Sequence, residues 1–209
     1  MLKALRRAAD RRRHAHGDYG WLFTPYTGNE MVAIDCKTTG PDARHAELVS
    51  LAAVRIRDER VLTSDSLDLC LARPASLAGD AIGLHGLRGI DLADGTEIEE
   101  ALARFLDFVG NRPLVGWCLK LDLAVLNHYL RPLFGFDLPN AGIDVAQCYQ
   151  RQLHRNHPER DVRLCLEQVA ELLEMPVMRR YSALGDAVTT ALIHLRLARG
   201  ALLAEQRFC

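Results

Sequence analysis

The chain has 209 residues, 49% of them hydrophobic and 25% charged, with a formal net charge of −1. That balance marks a globular rather than a disordered chain and suffices for one domain with a real core. It provides no global field toward nucleic acid or membrane, so binding to either must rest on local patches.

Up to Arg13 the chain carries Lys3, Arg6, Arg7, Arg11, Arg12 and Arg13 against one acidic residue, Asp10. Leu2, Leu5, Ala8 and Ala9 give this segment a weak apolar stripe, which predicts a short helix. Two readings stand side by side: a solvated extension packed on the domain, or an arm for nucleic acid or an anionic membrane. No signal-type apolar core follows, and no apolar run is long enough to span a bilayer. The expectation is therefore a cytoplasmic protein with no membrane partner. Residues 1–29 read as a basic N-terminal extension, with Tyr19 to Asn29 as a loop, and residues 30–203 as one domain.

Met31, Val32, Ala33 and Ile34 run into Asp35, Cys36, Lys37, Thr38, Thr39 and Gly40. An apolar run stopped by polar residues and glycine predicts a buried central strand. Alternation then puts Asp35 and Lys37 on one face and turns Cys36 to the core. Leu48 to Ile56 is a second strand. Arg57 to Arg60 make a polar turn, and Val61 to Leu69 is the hairpin partner. Pro74 to Gly95, which contains His85, is irregular. Glu97 to Val109 has helical apolar spacing, Leu114 to Trp117 is a short buried strand, and Leu121 to Leu133 is a helix. Ile143 to Leu153 begins extended and becomes helical. Arg151 to Arg163 reads as a basic loop, Leu164 to Leu173 as a helix, and Ser182 to about Leu203 as the last helix. Strands, then alternating strands and helices, then helices predict an α/β fold around a mixed sheet. Six cysteines, at 36, 70, 118, 148, 165 and 209, form no CxxC pair. They read as reduced, buried thiols rather than a zinc site.

Three aspartates share one kind of setting. Asp35 ends the first strand, Asp122 lies at the start of a helix, and Asp186 lies near the start of the last helix. Alone, an aspartate in a first helical turn is a dipole partner. Together, in this order, the three resemble the motifs of the DEDD (DnaQ-like) 3′–5′ exonuclease superfamily. Asp35-Cys36-Lys37-Thr38-Thr39-Gly40 is similar to its Asp-x-Glu-Thr-Thr-Gly. Leu114-Val115-Gly116-Trp117-Cys118 leading to Asp122 is similar to its second motif, Val-Gly-His-Asn before an aspartate. Tyr181 to Ala187 has the spacing of its His-type third motif, with Tyr181 for histidine. Leu84-His85-Gly86-Leu87 resembles its Val-His-Gly-Ile.

The resemblance implies a ribonuclease-H-like mixed β-sheet flanked by helices. It implies a metal-dependent nuclease that removes nucleotides from 3′ ends, with Mg2+ or Mn2+ as cofactor and two ions in the site. Asp35, Asp122 and Asp186 would be the metal ligands, and with Lys37 and Tyr181 they occupy the catalytic positions. Thr38, Thr39, Gly40 and His85 would contact the terminal nucleotide. The implied partner is single-stranded nucleic acid or its 3′ ends, DNA ahead of RNA, with no protein partner indicated. The basic residues from Arg151 to Arg163 and the pair Arg179-Arg180 would line the strand's path, or be a solvated surface.

Two positions depart from the pattern. Lys37 stands where the superfamily has a glutamate ligand, which turns −1 into +1 beside a divalent ion. At ~4 Å and an effective dielectric of ~20, each unit of charge product is worth ~4 kcal/mol. The ammonium could instead take the ion's place and neutralise Asp35 and Asp186. Tyr181 titrates near ~10 and is a poor base at neutral pH, although it could orient a water. The expectation is weakened exonuclease activity; the alternative is a degenerate member that binds nucleic-acid ends or nucleotides without cleaving them.

Overall fold

The computed structural model describes residues 2–72, 95–156, 158, 164–179 and 182–200. The expected irregular stretch with His85, and also Tyr181, Arg180, Arg160 and Arg163, lie outside the described residues. The strands are β1 (Glu30–Thr38), β2 (Leu48–Arg57), β3 (Arg60–Cys70), β4 (Leu114–Gly116) and β5 (Gly142–Asp144). The helices are α1 (Leu2–His14), α2 (Ile98–Val109), α3 (Leu119–Phe134), α4 (Val145–Asn156), α5 (Leu166–Leu172) and α6 (Ala183–Ala198).

The five strands form one mixed sheet in the order β3-β2-β1-β4-β5. β1 pairs antiparallel with β2 and parallel with β4. Its central place follows from its sequence: Val32, Ala33 and Ile34 are fully buried, so both faces of the strand meet apolar layers. Ile34 faces a core built with α2 and α3, including Phe105 and Leu126. Ala33 faces a second core built with α4, α5 and α6, including Tyr149, Val169 and Ala191. The result is an α/β sandwich with a helical layer on each side. The β2–β3 hairpin turns through Asp58 and Glu59, both at positive φ, the geometry that matches strand twist in a two-residue turn.

Several elements differ from the sequence reading. The loop between Tyr19 and Asn29 contains a 3-10 turn, Gly20–Phe23, whose Leu22 enters the first core. The supposed basic loop from Arg151 is helical as far as Asn156, because Tyr149 and Leu153 keep the α4 stripe in register with the core. The last helix ends at Ala198, followed by Gly200 at φ 67. The five described cysteines are free, as expected, but none is buried, and Cys118 and Cys165 are exposed. No described helix is long and apolar enough to cross a membrane.

The N-terminal helix is anchored on the domain. Arg131 on α3 donates to both carboxylate oxygens of Asp10, at 2.9 and 2.8 Å, and Arg7 donates to the carbonyls of Pro139 and Asn140. Arg11, Arg12 and Arg13 remain exposed. The Arg131 guanidinium holds the Asp10 carboxyl below its usual range, against the opposing effect of burial. A carboxyl with a depressed folded pKa contributes stability above its unfolded pKa, and loses it as pH falls through the folded value. We therefore expect Asp10→Asn to cost about 1–3 kcal/mol at pH 7, less than a fully buried pair because Arg131 is a third exposed. The difference should shrink as pH falls through the lowered folded value, and urea unfolding at pH 7 and in increasingly acid buffer measures it.

Candidate active site

Asp35 and Lys37 lie two residues apart near the C-terminal end of β1, on the face turned to α6. The Lys37 ammonium sits 2.9 Å from Asp35 Oδ2 and donates to Asp186 Oδ2. All three side chains are about 15% exposed, so this ion pair is largely shielded from water. Asp186 comes from the first turn of α6. Ser182 caps that turn by accepting from the Gly185 N–H at 3.2 Å. A Cβ at Gly185 would stand 2.1 Å from the Arg179 carbonyl oxygen, so glycine lets the helix start approach its lead-in closely enough to present Asp186.

Asp122 arrives from the other side of the strand, in the first turn of α3. It is 6% exposed, and its Oδ1 accepts from the Cys36 N–H at 3.1 Å. The Cys36 side chain packs on the first core. Thus three aspartates from three elements converge on residues 35–37 of one strand. Two of them are joined through Lys37 and one is bound to the backbone.

Burial pushes the Asp35 carboxyl up to about 6; Lys37 opposes this and the charge of Asp186 adds to it. Burial and the nearby Asp35 charge push Asp122 well above the carboxylate range, against the pull of the Cys36 N–H. Burial alone would lower the Lys37 ammonium, but the facing carboxylates of Asp35 and Asp186 outweigh it and keep the group protonated. The cluster is therefore compact and close to charge balance.

A divalent centre needs carboxylate oxygens aimed at a shared open position. Here the +1 ammonium lies between Asp35 and Asp186, and Asp122 is committed to the strand backbone. Among the described residues no group of three or more His, Cys, Asp or Glu side chains is arranged to hold a metal ion. Asp35 Oδ2 is sealed from water and faces the Lys37 ammonium at 2.9 Å. As placed, these residues do not fit the expected pair of metal ions.

The residues expected to touch a nucleotide are engaged within their own loop. The Thr38 hydroxyl donates to the Gly40 carbonyl at 2.8 Å, and the Thr39 hydroxyl accepts from the Glu47 N–H at 3.0 Å. Space around the Gly40 Cα is open. His85 and Tyr181 lie outside the described residues. The Cys36 N–H as the partner of Asp122 is a feature that local sequence pattern does not show.

A model of the RNase T exonuclease family matches residues 32–194, most of the chain. The chain belongs to the DnaQ-like exonuclease family. This exonuclease-family domain is 28% identical over 168 residues to the DNA polymerase III subunit epsilon of Aquifex aeolicus, covering 80% of this chain and 79% of that one. It is 26% identical over 166 residues to a PolC-type DNA polymerase III of Thermotoga petrophila, covering 79% of this chain but only 12% of that protein. Among solved structures, the zinc-bound E. coli exonuclease I–ssDNA complex superposes with a TM-score of 0.68 at 17% identity, over 85% of this chain and 42% of that one. Cell-death related nuclease 4 superposes with a TM-score of 0.70 at 12% identity, over 82% and 64%. These structural likenesses bear out the ribonuclease-H-like fold.

Proposed function

We propose that this DnaQ-like domain binds 3′ ends of single-stranded nucleic acid in the cytoplasm, DNA ahead of RNA, and that Lys37 suppresses their hydrolysis. The observation that carries this is the Lys37 ammonium set between Asp35 and Asp186. An ammonium neutralises carboxylates as a metal ion does. It offers no open coordination position, so it cannot generate a hydroxide or bridge attacking and leaving oxygens. What remains is a family scaffold with a shielded, nearly neutral acidic cluster at its centre.

In this reading the strand's path is supplied by the basic face of α4. β5 ends next to β4 at Asp144, and α4 leads away from that point. Its outer face forms an open groove of about 640 Å³ lined by Gln147, Gln150, Arg151, His154 and Arg155. Arginines there can contact phosphates without reading sequence.

The test uses single-stranded DNA labelled at its 5′ end. We expect binding that survives EDTA, with no ladder of shortened products in Mn2+. We also expect Arg151→Ala with Arg155→Ala to reduce the slope of log affinity against log salt by about 1.4, at roughly 0.7 for each phosphate no longer neutralised. A ladder from the wild-type chain, absent after Asp35→Ala, would establish an active exonuclease instead and sink the suppressed reading.

A further inference from the structure

We propose that Trp117 is the platform on which the 3′-terminal base of a bound strand stacks. This rests on the 3′-end reading above and adds the group that would recognise the base. β4 pairs parallel with β1, Val32 opposite Leu114 and Ala33 opposite Val115. Continuing that register brings Trp117 level with Asp35. Ala33 and Val115 both face the second core, so alternation places Trp117 on the side of Asp35, Lys37 and Asp186. The next residue, Cys118, takes a left-handed conformation at φ 55 and turns the chain into α3, which carries Asp122. Trp117 thus stands at the end of the strand, beside the acidic cluster.

Its surroundings suit a flat ligand. The indole is half-buried, with its body packed on the second core. The ring is only partly buried, so part of it stays open to solvent. A tryptophan fixed on one side by core packing and open on the other loses little entropy on binding. The Lys37 ammonium is taken up by Asp35 and Asp186, so the cluster offers no free positive charge for the terminal phosphate, and stacking is what would hold the terminal base there. Every base has a π-face, so the platform is tolerant of sequence and requires an unpaired end.

The chain has two tryptophans, at 21 and 117. Trp21 is exposed in the 3-10 turn, and its N–H donates to the Asp18 carbonyl. Trp21→Phe therefore leaves Trp117 as the sole indole reporter. This variant is titrated with an oligo-dT strand and with the same strand made abasic at its 3′-terminal position, following fluorescence and filter retention together. The expected result is quenching by oligo-dT and weaker quenching by the abasic strand. Trp117→Ala should weaken oligo-dT binding about 5- to 150-fold, the equivalent of ~1–3 kcal/mol, and leave the abasic strand nearly unchanged. Trp117→Phe, which keeps a ring, should recover most of the affinity. Retention with no change in fluorescence overturns the stacking proposal alone. So does equal weakening of both strands by Trp117→Ala, the signature of a packing role. No retention of either strand by the wild type overturns the 3′-end reading together with it.

Discussion

Lys37→Glu combined with Tyr181→His is expected to bind Mn2+ and to shorten 5′-labelled single-stranded DNA from its 3′ end. The change removes the positive charge between Asp35 and Asp186 and puts a carboxylate on the same face two residues from Asp35. Without metal, the variant gathers several carboxylates in a shielded site and should unfold more easily than the wild type. With Mn2+ at about 100 times its dissociation constant, it should regain about 2.7 kcal/mol. For a domain of this size that is roughly 5–10 °C in Tm, while the wild-type Tm stays level. Tyr181→His restores the residue type of the family's third motif, whose unperturbed pKa near ~6.5 suits a base at neutral pH. Asp35→Ala in this background should abolish both the Tm response and the ladder. A double variant that folds and shows no Mn2+ response would overturn the assignment of these residues to one site.

Removing the ammonium without replacing it should produce a large destabilisation of a different kind. Lys37→Met is expected to cost about 3–5 kcal/mol at pH 8, because it leaves Asp35 and Asp186 facing each other without a counter-charge. The pH dependence separates this from a packing defect. Asp35 already has a folded pKa of about 6, above its ordinary 3.8, because burial disfavours the charge. A raised folded pKa contributes stability at low pH that is lost as pH rises through the folded value. Removal of Lys37 takes away the group that opposes this shift, so the folded pKa of the variant moves higher still. Its deficit should be largest at pH 8 and should shrink toward pH 5, where the carboxyl takes up a proton. Urea titrations of wild type and variant at the two pH values give the comparison. A deficit independent of pH would show that Lys37 acts through its stem rather than its charge.

Much of this architecture was legible from local pattern. The apolar run from Met31 to Ile34 predicted a central strand, and both faces of that strand do meet apolar layers. Period-two alternation alone placed Asp35 and Lys37 together, because successive side chains of a strand have no other choice. The helical spacing of Ala101, Leu102, Phe105, Leu106 and Val109 predicted α2, and all five are buried. The order of the three aspartates pointed to the exonuclease family, which the match over residues 32–194 shows.

Other features depended on contacts between segments far apart in sequence. Composition could not decide whether the N-terminal basic segment is free or docked; the pairing of Asp10 with Arg131 decides it, across 121 residues. Reading Arg151 as the start of a loop failed because charge on one face of α4 masked the apolar stripe that holds its other face to the core. The sequence by itself determined the family, the sheet-forming segments and the presence of a lysine beside the first aspartate. Only the tertiary structure decided where that lysine's ammonium goes, since Asp186 reaches it from 149 residues away on a helix packed over the sheet. A flexible four-carbon stem has no direction of its own, and the two carboxylates that surround its end give it one.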